Sequence, residues 1–246
     1  MSDQSTQQNP FTTRRFIVAV IVVGIIAICA VIVIISNLSG GNASQSPTPA
    51  STHPAASTPA AATDPDPSTC GLGGATNSGT LSEAPKTAWV LFGRFAVPND
   101  PKSFGPGHIV SNGVRTCYAH NPTGVLYATA NLIGMGTDRT IAVEVIKAMV
   151  EPGAGRDAAI AAAQGSTGGN GTLTFQVAGF KINSYDGQTA SIDIALHSSD
   201  NSFVSLVYDW QWKDGDWKGV LTSAGQPRVA PAQVSNLGGY IPWAGA

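Results

Sequence analysis

A run of twenty uncharged apolar residues at positions 16–35, FIVAVIVVGIIAICAVIVII, limits what this chain can be more than any other feature. A helix rises about 1.5 Å per residue, so a helix of that length spans the roughly 30 Å hydrocarbon core of a bilayer. The many Val and Ile residues do not oppose a helix there, because in lipid every backbone group must be hydrogen-bonded within the segment. The sequence therefore predicts a single transmembrane helix over residues 16–36.

Basic residues give this helix an orientation. Arg14 and Arg15 precede the apolar run, and the next Lys or Arg is Lys86. By the positive-inside rule, residues 1–15 form a cytoplasmic tail, and the chain beyond the helix is extracytoplasmic. A cleaved signal peptide is the alternative, but its apolar region would span about 7 to 15 residues and end at a small-x-small site. This run is longer and SNLSGG follows it, so we expect a cell-membrane protein with one span.

Residues 37–69 are dominated by Ser, Thr, Pro, Ala and Gly, with no large apolar residue after Leu38. Such a segment cannot bury enough surface to offset the entropy of ordering, so we predict a disordered linker. Its prolines favour polyproline II, which extends about 3.1 Å per residue and would hold a domain away from the membrane. Asn37, Asn42 and Asn170 open N-glycosylation sequons, which matter only in a host that glycosylates them.

Cys70 and Cys117 are the two cysteines on the predicted outer side, where disulfides persist. An even pair in that compartment favours a bond between them, which would attach the end of the linker to the domain. A bridge between the Cys70 residues of two chains and a free catalytic Cys117 are the alternatives that the sequence leaves open.

Residues 70–246 form the predicted extracytoplasmic domain, in which helices come first and strands follow. Asn121 before Pro122 predicts a helix N-cap with proline in the first turn. Apolar residues then recur at helical spacing, and Gly134 and Gly136 are expected to end the helix. Asp138 caps a second predicted helix that the EPG at 151–153 terminates, and residues 156–164 form a third. A short strand is predicted within residues 86–98, with a loop after it.

Beyond the glycine run GSTGGNG the apolar period changes from 3.6 to 2. Four segments alternate apolar and polar residues, and residues typical of hairpin turns separate them. The segments are TLTFQVAGFKINSY, QTASIDIALHSS, SFVSLVYDWQW and DWKGVLT. We therefore predict an α+β domain with an antiparallel meander. Four aspartates are interpreted as turn residues: Asp186, Asp200, Asp214 and Asp216. The stretch VYDWQWKDGDWKGVL resembles the final hairpin of the NTF2-like (cystatin-like) superfamily, which implies a curved sheet wrapped around helices into a cone.

The stretch CYAHNPTGVLYATAN places a thiol three residues from an imidazole. A Cys-His catalyst also needs a group that orients the base and a set of oxyanion donors. Asn121 and Pro122 are already explained by helix capping, and His120 is expected to hydrogen-bond locally. We therefore favour a structural role for Cys117 and His120, and predict no catalytic residue.

The same stretch resembles a family of actinobacterial membrane-anchored proteins of unknown function associated with conjugative and other mobile elements. In that family a Trp-containing segment and a Gly-Pro loop precede an aromatic-x-His-x-Pro-x-Gly motif that runs into an Ala-rich helix. The positions that match this order here are Trp89, Gly105, Pro106, Tyr118, His120, Pro122 and Gly124. The resemblance implies a link to conjugative and other mobile elements, and the family carries no established active site.

Other catalytic and metal-binding patterns are missing from the sequence: it has no HExxH, CxxC or GxSxG, and its glycine runs lack the lysine of a phosphate loop. The isolated histidines favour surface or structural roles over metal ligation: His53, His108 and His197. Asp193 and Asp209 lie in predicted strands and either could point into a cone pocket, although pairing at the surface is the simpler expectation. Trp210, Trp212 and Trp217 are expected to cover the sheet. No metal or cofactor is predicted.

The chain has a net charge of -2 and no basic cluster beyond the two arginines, so we do not expect it to bind nucleic acid directly. The leading hypothesis is a non-enzymatic, single-pass membrane protein whose extracytoplasmic domain scaffolds other envelope proteins in a conjugation or type IV secretion-like apparatus. Its expected partners are the membrane, other envelope proteins and further copies of itself. The alternatives are a small-molecule-binding or catalytic NTF2-like domain, and a cell-wall-binding domain on a stalk that would use exposed tryptophans.

Overall fold

The computed structural model describes residues 67–166 and 174–245. The predicted cytoplasmic tail, the transmembrane helix, nearly all of the linker and the three glycosylation sequons lie outside these residues. Within the two described ranges, no helix is long and apolar enough to cross a bilayer.

Two small hairpins open the described part of the chain. Strand β1 (Trp89–Phe92) pairs antiparallel with β2 (Phe95–Pro98), and β3 (His108–Ile109) pairs with β4 (Arg115–Thr116). The short strand predicted within residues 86–98 is present as β1, and the same range also contains β2. Gly93, with a φ of 58°, allows a tight turn that folds the segment back on itself.

Three helices follow, in the predicted order. Helix α1 (Pro122–Met135) begins at the predicted cap, where the Asn121 side chain accepts a hydrogen bond from the backbone N–H of Gly124. A 3₁₀ turn (Arg139–Ile141), capped by Asp138, leads into α2 (Ala142–Met149), and α3 (Ala154–Gly165) comes last. All fourteen residues of α1 are buried, so this helix forms the centre of the domain.

The sequence predicted that Gly134 and Gly136 end α1. Gly136 is its C-cap, whereas Gly134 lies inside the helix. A side chain at this position would meet the side chains of Val97 and Phe95 on β2. The glycine therefore lets the hairpin pack directly against the helix backbone, and α1 ends one residue later at Met135.

The main sheet is antiparallel and follows the predicted meander. Strands β5 (Phe175–Tyr185), β6 (Thr189–Ser198), β7 (Phe203–Lys213) and β8 (Asp216–Val220) lie in chain order. The final segment of the chain adds β9 (Ala232–Val234) beside β7 and β10 (Ile241–Pro242) beside β5. The sheet and the three helices confirm the α+β prediction.

The two faces of the sheet have different partners. The inner face of β6 carries Ala190, Ile192, Ile194 and Leu196, which join the same buried cluster as the apolar residues of α1. The outer face carries polar side chains, which the segment after β8 partly covers. For example, the Tyr240 hydroxyl donates to Asp193 of β6. The helices thus pack on one side of the sheet. Part of the C-terminal segment packs on the other side, and Trp243 near its end joins the inner core beside Tyr127.

Candidate functional site

Cys70 and Cys117 form a disulfide that joins the start of the described domain to the segment between β4 and α1. The two Cα atoms are 6.2 Å apart. Cys117 is buried, whereas Cys70 is half-buried. The bond attaches the chain immediately after the linker to the centre of the fold.

Cys117 adopts a left-handed backbone conformation with a φ of 66°, which is unfavourable for a residue with a side chain. The carboxylate of Asp216 holds it there. Its two oxygens accept hydrogen bonds from the backbone N–H groups of Cys117 and Tyr118, each at 3.0 Å. One of them also accepts from the N–H of Trp217 at 2.9 Å. The carboxylate therefore joins the first residue of β8 to the segment before α1.

The sequence interpreted Asp216 as a turn residue, and this is wrong. The turn itself is made by Asp214 and Gly215, both with positive φ, while Asp216 opens β8 and is only 3% exposed. The sequence contained one signal of this role: the hairpin has two aspartates, and its turn needs only Asp214.

Tyr118 explains why the matched motif has a glycine at position 105. Gly105 has a φ of 107°, and a side chain there would collide with the Tyr118 ring and the Cys117 carbonyl. The peptide bond between Gly105 and Pro106 is cis. Burial, together with the nearby charge of Asp216, raises the pKa of the Tyr118 hydroxyl well above its usual value. Tyr118 is therefore a neutral core residue.

His120 lies in an aromatic cluster on the inner side of the sheet. Its ring stacks on Trp212 with a centroid distance of 3.9 Å, and Trp217 meets it edge-on at 5.8 Å. Its Nε2 atom is hydrogen-bonded to the backbone carbonyl of Gly187, in the turn between β5 and β6. These three partners are distant in sequence, whereas the sequence had predicted a local hydrogen bond.

The remaining motif residues also hold backbone segments together. A side chain on Gly124 would place its Cβ 2.0 Å from the carbonyl oxygen of Ala119. The Trp217 indole N–H donates to the same carbonyl at 3.0 Å. Trp89 lies apart from this cluster and packs on Trp243, with ring centroids 4.7 Å apart. Apart from Trp89, the motif is therefore a set of packing and hydrogen-bonding residues around the start of α1.

Asp193 and Asp209 do not point toward the helices. Both lie on the outer face of the sheet, opposite the face that carries Trp212 and its partner His120. The Asp193 carboxylate accepts hydrogen bonds from the hydroxyls of Ser205 at 2.7 Å and Tyr240 at 2.8 Å. Asp209 forms a two-point ion pair with Arg228, at 2.8 and 3.1 Å, and its pKa is lowered. That lowering occurs although partial burial opposes it, because the Arg228 and Ser191 side chains stabilise the carboxylate.

The histidines outside the motif are dispersed. His197 lies on the outer face and stacks on Phe203, with ring centroids 4.8 Å apart. His53 falls outside the described residues. His108 is exposed on β3 beside the disulfide, with a ring nitrogen within 4.8 Å of both sulfur atoms. Cys70, His108 and Cys117 have the atom types of a metal site, but both sulfurs are already bonded to each other.

The three tryptophans of the last hairpin are core residues. Trp210, Trp212 and Trp217 are exposed by 1%, 3% and 0% respectively. They therefore cover the inner face of the sheet, as expected, and cannot serve as a platform for stacking on a sugar or a cell-wall polymer.

An apolar cleft opens between the helices and β8. Its lining includes Leu132, Val145 and Ile146 from the helices, and Tyr208 supplies the one polar side chain. Burial raises the pKa of the Tyr208 hydroxyl. Asp193, Asp209 and His120 do not line this cleft, so it lacks the converging polar groups that a polar substrate would need.

The polar contacts around Cys117 and the start of α1 thus hold backbone segments in place. No curated protein and no solved structure matches the chain. A family model does match it over residues 49–242, which includes all ten strands and three helices described above. The chain therefore belongs to the family described as Domain of unknown function (DUF8175).

Proposed function

We propose that this protein is a non-enzymatic, single-pass membrane protein whose extracytoplasmic domain scaffolds other envelope proteins in a conjugation or type IV secretion-like apparatus. The apolar run at residues 16–35 and the linker after it support a membrane-tethered domain. The CYAHNPTG motif resembles that of membrane-anchored proteins of mobile elements, and this resemblance supports a role in a conjugation or type IV secretion-like apparatus.

The observation that carries this proposal is a group of exposed apolar side chains on the two small hairpins. Leu91 on β1 is 71% exposed, and Ile109 and Val110 are each 52% exposed. The hairpins are neighbours, because the Arg115 guanidinium of β4 lies over the Phe92 ring of β1 at 5.8 Å. We call Leu91, Ile109 and Val110 the hairpin surface. Exposed apolar groups from adjacent elements favour contact with another protein.

The packing of the core is consistent with a scaffold. Helix α1 is buried along its whole length, and His120 and three tryptophans fill the space between the sheet and the start of this helix. Because the core is filled at this end of the domain, the surface of the domain is left to carry recognition.

The proposal is tested by placing a charge on the hairpin surface of the full chain in its native host. Leu91→Glu and Ile109→Glu should remove the protein from a high-mass envelope complex seen on native electrophoresis after mild detergent extraction. Charged groups at the centre of an interface would lose their water without gaining a partner. The mass of the complex would also show whether it contains further copies of the chain.

Val229→Glu is the matched control, because Val229 is an exposed apolar residue, at 39%, on the segment after β8. All three variants should retain the parent's thermal stability, since surface changes of this kind alter it by about 0.5 kcal/mol or less. Assembly of both hairpin variants at the parent's level would refute the scaffold role of this surface. A gene located away from any transfer, phage or secretion genes would refute the link to conjugation separately.

A further inference from the structure

Three hydrogen-bond donors converge on one sulfur atom of the disulfide. The hydroxyls of Ser68 and Thr69 lie 3.0 and 3.2 Å from the Cys117 sulfur, and the backbone N–H of Cys70 lies 3.0 Å from it. The Cys70 sulfur has one such neighbour, the Ser68 hydroxyl at 3.5 Å. The two ends of the bond are therefore solvated very differently by the protein.

A sulfur in a disulfide is a weak acceptor and gains little from three donors. A thiolate carries a full charge, and hydrogen bonds to a charged group are roughly twice as strong as those between neutral groups. The donors around Cys117 would therefore stabilise the state in which the bond is broken and the electron pair remains on Cys117.

The solvent exposure of the two cysteines also favours Cys117 as the leaving sulfur. Cys70 is half-buried, whereas Cys117 is only 1% exposed. An incoming thiol can therefore approach Cys70, and Cys117 is the sulfur that leaves.

We propose that the Cys70–Cys117 bond is a site of thiol–disulfide exchange, attacked at Cys70 by an external thiol, with Cys117 as the stabilised leaving thiolate. This activity is independent of the scaffold function proposed above. In the first step an incoming thiolate bonds to the Cys70 sulfur, the Cys70–Cys117 bond breaks, and Cys117 leaves with the electron pair. A second thiol then attacks the mixed disulfide. Overall, two thiols are oxidised to one disulfide, and the protein disulfide is reduced to two thiols.

His108 is placed to handle the proton of this reaction. The β3–β4 register sets His108 opposite Thr116, one residue before Cys117, and its side chain is exposed. A ring nitrogen lies within 4.8 Å of both sulfurs, so the imidazole can accept the proton of the incoming thiol and later return it to the Cys117 thiolate.

The first experiment identifies the sulfur that is attacked. The full chain in detergent is treated with reduced glutathione, quenched with acid and analysed by peptide mass spectrometry, which also separates any adduct on Cys29. Glutathione should be found on Cys70 in about tenfold or greater excess over Cys117, because the better leaving group is released preferentially. A parallel reaction with a reduced dithiol protein shows whether a small or a protein thiol is the faster reductant. An equal distribution of glutathione over the two cysteines would overturn the proposal.

The second experiment measures the donors and the histidine. The double variant Ser68→Ala, Thr69→Val should be reduced about tenfold more slowly than the parent, and Ser103→Ala, an exposed serine, serves as the control. His108→Ala should slow reduction near pH 7 and have less effect near pH 9, where more of the glutathione is already thiolate. None of these changes removes a cysteine, so each variant should keep the disulfide closed and the domain folded before reaction. Reduction of the double variant at the parent's rate would show that the bond is purely structural.

Discussion

The carboxylate of Asp216 fixes the backbone of Cys117 across 99 residues of sequence by accepting its N–H at 3.0 Å. The same carboxylate accepts two further N–H groups, from Tyr118 and Trp217. These three backbone N–H groups and the Lys218 ammonium, 3.4 Å from one carboxylate oxygen, satisfy the charge of Asp216, which is only 3% exposed. This contact joins the last hairpin of the sheet to the segment that starts α1, and it supports the left-handed conformation of Cys117.

Replacing Asp216 with asparagine should therefore strongly destabilise the domain. The amide has one accepting oxygen, and its NH₂ group would face a backbone N–H. We expect a loss of about 3 kcal/mol in the free energy of unfolding, measured by urea denaturation, since hydrogen bonds to charged groups contribute about 1.5–3 kcal/mol. Asp209→Asn is the control and should cost about 1 kcal/mol or less, because its ion-pair partner Arg228 has a side chain that is 65% exposed. Equal losses in the two variants would contradict the anchoring role of Asp216.

Gly124→Ala should destabilise the domain, although alanine favours helices more than glycine does. The new Cβ would lie 2.0 Å from the Ala119 carbonyl oxygen, and this backbone is held by Trp217. We expect a decrease of about 2 kcal/mol or more, as for other overpacked positions. Gly165→Ala, at the end of α3, meets nothing within 4 Å and should leave the stability unchanged or raise it. The melting temperatures of the two variants provide the comparison.

Tyr208 should make the domain sensitive to alkali. Its pKa is raised in the folded protein by burial, so the unfolded chain loses this proton first, near pH 10, and unfolding becomes more favourable as the pH rises. The stability associated with the neutral hydroxyl is fully present below pH 10 and is lost as the pH rises toward the folded pKa.

Tyr208→Phe removes this effect. At pH 7 the free energy of unfolding of the variant should be close to that of the parent. At pH 11 the variant should be about 1.4 kcal/mol more stable than the parent, once any difference at pH 7 is subtracted. Denaturation curves at the two pH values measure the difference. The same difference at both pH values would show that Tyr208 does not titrate differently in the folded and unfolded states.

The predicted topology places residues 72–243 outside the cell membrane, because Arg14 and Arg15 flank the apolar run on its N-terminal side. Protease added to intact, wall-stripped cells should release this domain by cutting the linker. An antibody to the domain would detect the released fragment on a gel. Complete protection of the domain in intact cells, with cleavage after lysis, would reverse the orientation.

The sequence alone determined the features that depend on residues close to one another in the chain. Asn121 and Pro122 placed the start of α1, because a cap acts within three residues. The period of two, with Asp186 and Gly187 between two segments, predicted β5 and β6, because a hairpin turn aligns the strands that flank it. Together these local signals were enough to predict an α+β domain with an antiparallel meander.

Only the tertiary structure decided which polar residues are buried and what they hold. Asp216 looked like a turn residue, yet folding brings it to backbone groups 98 and 99 residues away. Gly134 looked like a helix terminator, yet β2 packs against it within the helix. Asp193 lies on the outer face of the sheet, and the hydroxyl of Tyr240, 47 residues later, reaches it there. Local propensity extends over one or two turns of chain, whereas these contacts exist only after distant segments have packed together, so the positions of their residues in the sequence do not reveal them.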